Sequence, residues 1–282
     1  MVSQYPVQLY RKGSILDVKY LDIQGTWTLP HFVGEIGLEE NLEMGEELWS
    51  PELGMLWVTG KYFDSIYKYS IIDRTGFVRN SIISDNIIYP QGASYISVLE
   101  ELLDLPVYFE EYLSNKVWLV LCVSKGYSRA QIVGGLLNDL CLLIYSKENA
   151  YFIRKWSNKI TKVFEVWVEE SFNSERASNY ILVEGVSGIT QEAFSQGDIN
   201  KFGIIKSEPF VSGVLTTEVE LKLLAERKLE ESLGARNNVS FDLAELADIE
   251  KELGNLWLVN NKRFRVQDIR ITETFKVSGY YV

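Results

Sequence analysis

The chain has little of what most catalytic and membrane chemistry draws on. It holds one histidine, His31, and two cysteines, Cys122 and Cys141, in 282 residues. One imidazole makes histidine ligand sets and histidine acid–base pairs poor fits. Two cysteines are too few for a disulfide framework or a four-ligand zinc site. Both sit in apolar strings, VLCV and DLCLL, and read as buried thiols. Six prolines and twenty glycines form no low-complexity linker. No apolar run approaches the roughly 18 residues that span a bilayer. In the first stretch, MVSQYPVQLYRKGS, the charges follow a few apolar residues. A secretory signal has the opposite order, so folding in a cytoplasm is expected. No GxSxG elbow, HExxH helix, Walker loop or GxGxxG after a strand is present.

What is present is core-forming material: 46% of the residues are apolar, and 13% of the chain is Phe, Trp or Tyr. That composition excludes disorder and leaves room for two domains, or one domain carrying an insertion. The net charge of −11 argues against gripping DNA or anionic lipid, which needs basic patches. The charge is uneven. Glu35, Glu39, Glu40, Glu43, Glu46, Glu47 and Glu52 fall within one stretch that has no Lys or Arg, whereas Lys262, Arg263, Arg265 and Arg270 lie close together against Asp268.

Along the chain, YPVQLY, SILDVKYLDI and GTWTLPHFVG read as strands, and so does Gly54–Gly76, with Asp73–Gly76 as punctuation. Five or six strands with no convincing helix fill the first 90 residues, the signature of a small barrel or sandwich. Ser94 caps a helix in ASYISVLEELLDL, which Pro106 ends. Val117–Val123 reads as a buried strand. Ser128 and Gln131 form a capping box for a helix with Ile132, Val133, Leu136, Leu137 and Leu140 on one face. Leu142–Tyr145, a turn at 146–149 and Ala150–Trp156 then make a hairpin. Strands resume over Val163–Val168 and Asn179–Gly188, followed by an irregular connection. Thr217 and Glu220 form a capping box at the head of a long helix, 216–234, with Gly234 as its stop and Glu218–Lys222 as a helical ion pair. The remainder is strand, turn, strand. No internal repeat is visible.

Candidate chemistry is thin. Thirty-nine carboxylates give chance pairs for glycoside hydrolysis, which sequence cannot space. Gly134–Gly135 lies in a helix pattern and reads as close helix packing. The tryptophans Trp27, Trp49, Trp57, Trp118, Trp156, Trp167 and Trp257 fall mostly in strand patterns, so core or interface packing is expected over sugar platforms. The 35–52 stretch lacks the spacing of a calcium loop and reads as an acidic surface.

The order of these segments carries a resemblance. SYISVLEELLDLP, then VWLVLCVSKGYSRAQIVGGLLNDLCLLIYSKENAYFIRKW, resembles the inserted domain of phage tail and baseplate hub proteins. Asn179–Gly185, Lys201–Gly203 and Thr216–Leu229 match that family's N-x-V-x-V-x-G strand, KYG turn and TEAEA helix start. Gly254–Val259, Arg263–Ile271 and Gly279–Tyr281 match its closing strands. Together these cover about residues 90–282. The chain resembles late-control-protein-D-like hubs and the N-terminal part of type VI secretion spike proteins.

The resemblance implies a fold that is α+β, mainly β: two tube-like β-barrel domains with a small inserted α+β domain. Residues 1–90 plus 157–180 would form a first, split barrel, 91–156 the insertion, and 181–282 the second barrel. It implies structural work without catalysis or cofactor. A homotrimer would form a pseudo-sixfold ring in the virion, joining the tail tube or a distal tail protein to a threefold tip or spike. A tape measure protein would be a further partner, with DNA present only in transit. Assembly in the host cytoplasm follows. No lysozyme or needle segment is recognised, so puncturing is expected of another protein. Two surfaces are expected: Glu35, Glu39, Glu40, Glu43, Glu46 and Glu47 facing the channel, and a basic strand, Lys262, Arg263, Arg265 and Arg270, meeting a neighbouring chain. The competing reading is a carbohydrate-binding or adhesin module; a glycosidase or peptidase ranks below it.

Overall fold

The computed structural model describes residues 5–26, 32–103, 105–111, 116–117, 120–147, 150–172, 177–186 and 188–282, apart from the side chains of Phe77, Arg79, Asn80 and Glu250. His31, Trp27 and Trp118 lie outside the described residues. The fold is α+β and mainly β, built as two bodies with separate cores.

The first body is one curled sheet of thirteen strands. In spatial order its main path runs Glu169–Phe172, Asn237–Leu243, Phe275–Tyr281, Lys262–Ile271, Val18–Thr26, Phe32–Leu38, Ile66–Asp73, Gly54–Asp64, Glu47–Ser50, Tyr10–Arg11 and Ser14–Ile15. Ile160–Phe164 and Leu256–Val259 branch from Lys262–Ile271. The two ends of the chain meet where Ile271 pairs with Ile23. Period-two alternation sets the faces. Leu21, Ile23, Ile36, Leu38, Val239, Phe241, Phe264, Ile269 and Val277 point into one core with Trp257, while Asp22, Gln24, Glu35, Asp242, Arg270 and Lys276 point away. Register shifts at Val58/Gly60 and Val266/Asp268 insert bulges, which bend strands and add to the curl. Among the described residues the sheet does not close: it ends at Glu169–Phe172 and at Ser14–Ile15.

The second body takes the middle of the chain. Helices Arg74–Asn80, Tyr95–Leu102, Arg129–Asp139 and Glu218–Gly234 share a core with the hairpin Leu142–Lys147/Ala150–Lys155 and the small sheet of Tyr180–Glu184, Thr190–Phe194 and Phe210–Val211. The expected caps are present. Ser94 Oγ accepts from Ile96 N–H at 3.2 Å, Ser128 and Gln131 close a capping box, and Thr217 Oγ1 accepts from Glu220 N–H at 3.4 Å. Val107–Phe109 adds to the hairpin as a parallel strand.

The structure differs from the sequence reading at several points. A helix, Arg74–Asn80, does occur in the first 90 residues, because buried Asp73 caps it: its Oδ1 accepts from Thr75 Oγ1 at 2.7 Å and from Gly76 N–H at 3.2 Å. A second unexpected helix is Gln196–Phe202, with Gly203 at φ 74° closing it. An internal repeat exists. Ile87–Tyr89, Gly92, Ser94 and helix Tyr95–Leu102 recur as Leu121–Val123, Gly126, Ser128 and helix Arg129–Asp139. The bridges Ile82–Ser128 and Ser94–Lys116 are equivalent under that exchange, so the copies pack about a local twofold. Glycine, cap serine and apolar positions alone carry the likeness.

Cys141 is buried, but Cys122 is exposed, on the outer side of the two-stranded ribbon. Residues 160–172 do not complete the sheet of the first 90 residues; they hydrogen-bond to the C-terminal strands Leu256–Val259 and Asn237–Leu243. Nor does 181–282 stand as one unit, since 180–225 shares its core with 78–156. Gly234 is a helical residue, not a stop. A Cβ there would collide with the Tyr280 ring, so the glycine serves close packing against the sheet. Gly134–Gly135 has the reverse fate: a Cβ at either meets nothing within 4 Å. The helical ion pairs are Arg227–Glu231 and Lys228–Glu231, both at 2.9 Å.

Candidate functional site

The polar face of the curled sheet is an organised surface. Pairs between adjacent and next-but-one strands hold it in order. Arg270 donates to both oxygens of Asp22, at 2.8 and 2.6 Å. Those bonds hold the Asp22 carboxyl below its ordinary range and the guanidinium above its own. Tyr62 donates to Glu35 at 3.0 Å, and Lys276 to Glu169 at 3.3 Å. Lys68 lies over the Tyr20 and Tyr62 rings at 5.4 and 5.7 Å. Asp268 shares the face, and burial raises its pKa. Asp22, Glu35, Glu169, Asp242 and Asp268 outnumber Lys68, Arg270 and Lys276, so the face is net acidic and internally laced.

The acidic set is only partly on it. Glu35 sits mid-strand between Asp22 and Ser70. The others follow the strand, on the loop and the sheet's far end. Arg11 pairs with Glu46 at 2.6 Å and Glu40 at 3.2 Å, and Lys19 with Glu39 at 3.7 Å. Glu43 and Glu47 are exposed. Arg11 and Lys19 lie outside the acidic stretch in sequence, so its charge compensation is a product of folding.

The basic set also divides. Arg265 is fully buried. It donates to Glu230 at 2.7 and 3.2 Å, to Asn158 Oδ1 at 2.7 Å, and to the carbonyls of Ser157 and Gly254 at 2.7 and 3.1 Å. Its guanidinium lies 4.2 Å from the Trp156 ring centre. It therefore has no donor to offer a neighbour, which corrects the expected role. Arg270 pairs with Asp22 and Lys262 with Glu170 at 3.6 Å. Arg263 is exposed and forms no ion pair among the described residues.

What Arg265 does is join the two bodies. Arg154 acts beside it, donating to Asn255 Oδ1 at 2.6 Å and to the carbonyls of Lys251 and Leu253 at 3.0 and 2.8 Å. Asp73 adds a third link: Ser146 Oγ lies 3.5 Å from its Oδ2. Burial pushes Asp73 up to about 7. Sequence reasoning missed this seam because most partners are far apart in the chain: Ser146 lies 73 positions from Asp73, Asn255 101 from Arg154 and Ser157 108 from Arg265, and even Glu230 is 35 from Arg265.

Among the described residues, no group of three or more His, Cys, Asp or Glu is placed to hold a metal ion, and no helix is long and apolar enough to cross a membrane. A broad polar face thus lies beside an open strand edge where Val163, Trp167 and Phe172 are 64%, 78% and 73% exposed.

No family model matches the chain, and no curated protein matches it. Solved structures do. A tail protein from Neisseria meningitidis MC58 aligns over 98% of this chain and 96% of its own, with a TM-score of 0.73 at 10% identity. The 43 kDa tail protein of prophage MuSo2 from Shewanella oneidensis aligns over 97% of each chain, with a TM-score of 0.68 at 11% identity. The E. coli c3393 protein is a type VI secretion component similar to the T4 tail proteins gp27 and gp5. It aligns over 97% of this chain and 76% of its own, with a TM-score of 0.57 at 10% identity. The chain shares the fold of these phage tail proteins and hub-like secretion components.

Proposed function

We propose that the protein is a structural subunit of a phage tail, a tail-tip or baseplate hub. Three copies form a pseudo-sixfold ring that joins the tail tube to the threefold tip, and the polar face of the curled sheet lines the channel. One observation carries this reading: a single sheet built from both ends of the chain, apolar on its inner face and polar, net acidic and laced by cross-strand pairs on the other. Two sheet halves per chain, 18–73 and 237–281, suit a ring with six sheet segments from three copies. A net acidic wall keeps phosphates from sticking, because like charge repels DNA in transit. On this reading Glu35 belongs to the channel together with Asp22, Glu169 and Asp242. Glu39, Glu40, Glu43, Glu46 and Glu47 lie toward a ring margin.

The neighbouring copy contacts the open edge at Glu169–Phe172. There, exposed Trp167 and Phe172 stand beside unpaired strand backbone, the combination that invites a further strand. Arg263 lies on a strand of the same half-sheet and offers an exposed cation for that contact, with Lys262 beside it paired to Glu170. The proteins it would join, a tube or distal tail protein, a tip or spike, and a tape measure, are structural, and the role needs no catalysis. The mass of the purified protein tests the ring: a species of three times 32.4 kDa is expected. A stable monomer that also stays off tail tubes in reconstitution contradicts it.

A further inference from the structure

A second surface lies at the opposite end of the sheet, and the ring does not account for it. Tyr10 and Trp49 face each other across neighbouring strands, with ring centres 5.3 Å apart and planes at 53°. On the same strand Leu48 and Ser50 are fully buried, whereas Trp49 is 42% exposed. The two rings line an open cleft of about 650 Å³, with Leu48, Met55, Lys12, Glu46 and Glu47 around it. That volume is in the range of small-molecule sites, roughly 300–1,000 Å³.

One polar group of this cleft, Glu46, is positioned before any ligand arrives. Arg11 donates to both oxygens of Glu46, at 2.6 and 3.0 Å, and Glu43 N–H adds a bond at 3.1 Å. These bonds hold the Glu46 carboxyl below its ordinary range. Lys12 and Gly13 form a two-residue turn at φ 48° and 83°, the left-handed pair that a tight hairpin requires. The turn sets the Lys12 amine 3.9 Å from Glu46. The cleft thus offers an aromatic wall beside one fixed carboxylate, Glu46, and two exposed groups of opposite charge, Lys12 and Glu47.

A cross-strand aromatic pair can serve merely to secure a short strand. An indole left in water gains little that way, and the pair alone does not explain the ordered polar rim. An apolar peptide side chain would desolvate that rim without satisfying it. An ionic ligand would meet Glu46 already engaged by Arg11, and Lys12 and Glu47 of opposite sign side by side. A pyranose ring matches both parts, with apolar C–H faces for the aromatic wall and hydroxyls for Glu46, Glu47 and Lys12. We propose that the Tyr10–Trp49 cleft binds a neutral saccharide of one or two sugar rings.

The test uses the full chain and a panel of neutral di- to tetrasaccharides of glucose, galactose, N-acetylglucosamine and N-acetylgalactosamine, read by tryptophan emission and on a glycan array. At least one sugar type is expected to bind saturably, with a tenfold or greater loss in Trp49→Ala and partial recovery in Trp49→Phe. Trp167→Ala, which changes the other exposed indole among the described residues, leaves binding unchanged. The Trp49→Ala melting curve should match the parent, which separates lost binding from lost fold. Three results overturn the proposal: no sugar of the panel binds the parent, Trp49→Ala binds as well as the parent, or Trp49→Ala changes the mass in solution and not sugar binding. The last assigns the cleft to a second copy of the chain.

Discussion

The curled sheet and the middle body are stabilised by opposite strategies. The middle body is local: cap, helix, turn and hairpin follow within a few residues of one another, and its two-copy unit repeats a Gly-x-Ser helix start. The sheet is non-local: strand 262–271 pairs with 18–26, and Arg270 with Asp22, across 248 positions. In the middle body, helices and small sheets share one core. The sheet leaves much of one face polar and exposed, and the middle body covers the rest at Arg265 and Tyr280. Where they meet, neutral packing is replaced by buried charge.

Breaking the seam gives the largest effect. Arg265→Ala leaves Glu230 with no cation in a mostly buried site and removes the donors from two carbonyls. A loss of about 3–5 kcal/mol is expected in denaturant unfolding. A loss below about 1 kcal/mol would show that the two bodies do not depend on this residue. Next come the glycines. Gly234→Ala drives a methyl into Tyr280 and should cost about 1–3 kcal/mol by overpacking. Gly134→Ala and Gly135→Ala meet open space, and each should stabilise by about 0.5–1 kcal/mol through helix propensity. Equal signs at the three sites would erase the distinction drawn between them.

Asp73 gives a pH signature. Its folded pKa, about 7, lies above the unfolded 3.8. Its contribution is therefore fully present below about pH 4 and is lost as pH rises through 7. Asn keeps the acceptor for Gly76 N–H and cannot ionise, so Asp73→Asn should flatten stability between pH 4 and 8. A profile identical to the parent's would place the ionisation elsewhere. The smallest effect on the monomer is expected at Arg263. Arg263→Glu should change folding stability by no more than about 0.5 kcal/mol, yet weaken self-association at low salt; unchanged assembly would remove it from the interface.

The sequence was legible where signals are local. Ser94, Ser128 with Gln131, and Thr217 with Glu220 start the helices they were expected to start. Alternation assigned most strands, and the order of short motifs pointed to the fold that the solved structures share. The seam was not legible. Arg265 reads as one of four surface cations until Glu230, Ser157 and Trp156 are brought to it by the fold. Asp73 reads as a turn because its helix is seven residues long and includes a glycine. The repeat escaped because a glycine, a serine and apolar positions alone recur. Glu40, Glu46 and Glu39 look uncompensated because Arg11 and Lys19 lie earlier in the chain.

Whether the exposed polar face of the sheet lines a channel is visible in a cryo-EM structure of the assembled ring or tail tip. Three copies are expected, with Asp22, Glu35, Glu169 and Asp242 facing the lumen and the Glu169–Phe172 edge at a contact between copies. A ring in which these four carboxylates face outward, or lie under a neighbouring protein, contradicts the channel-lining role.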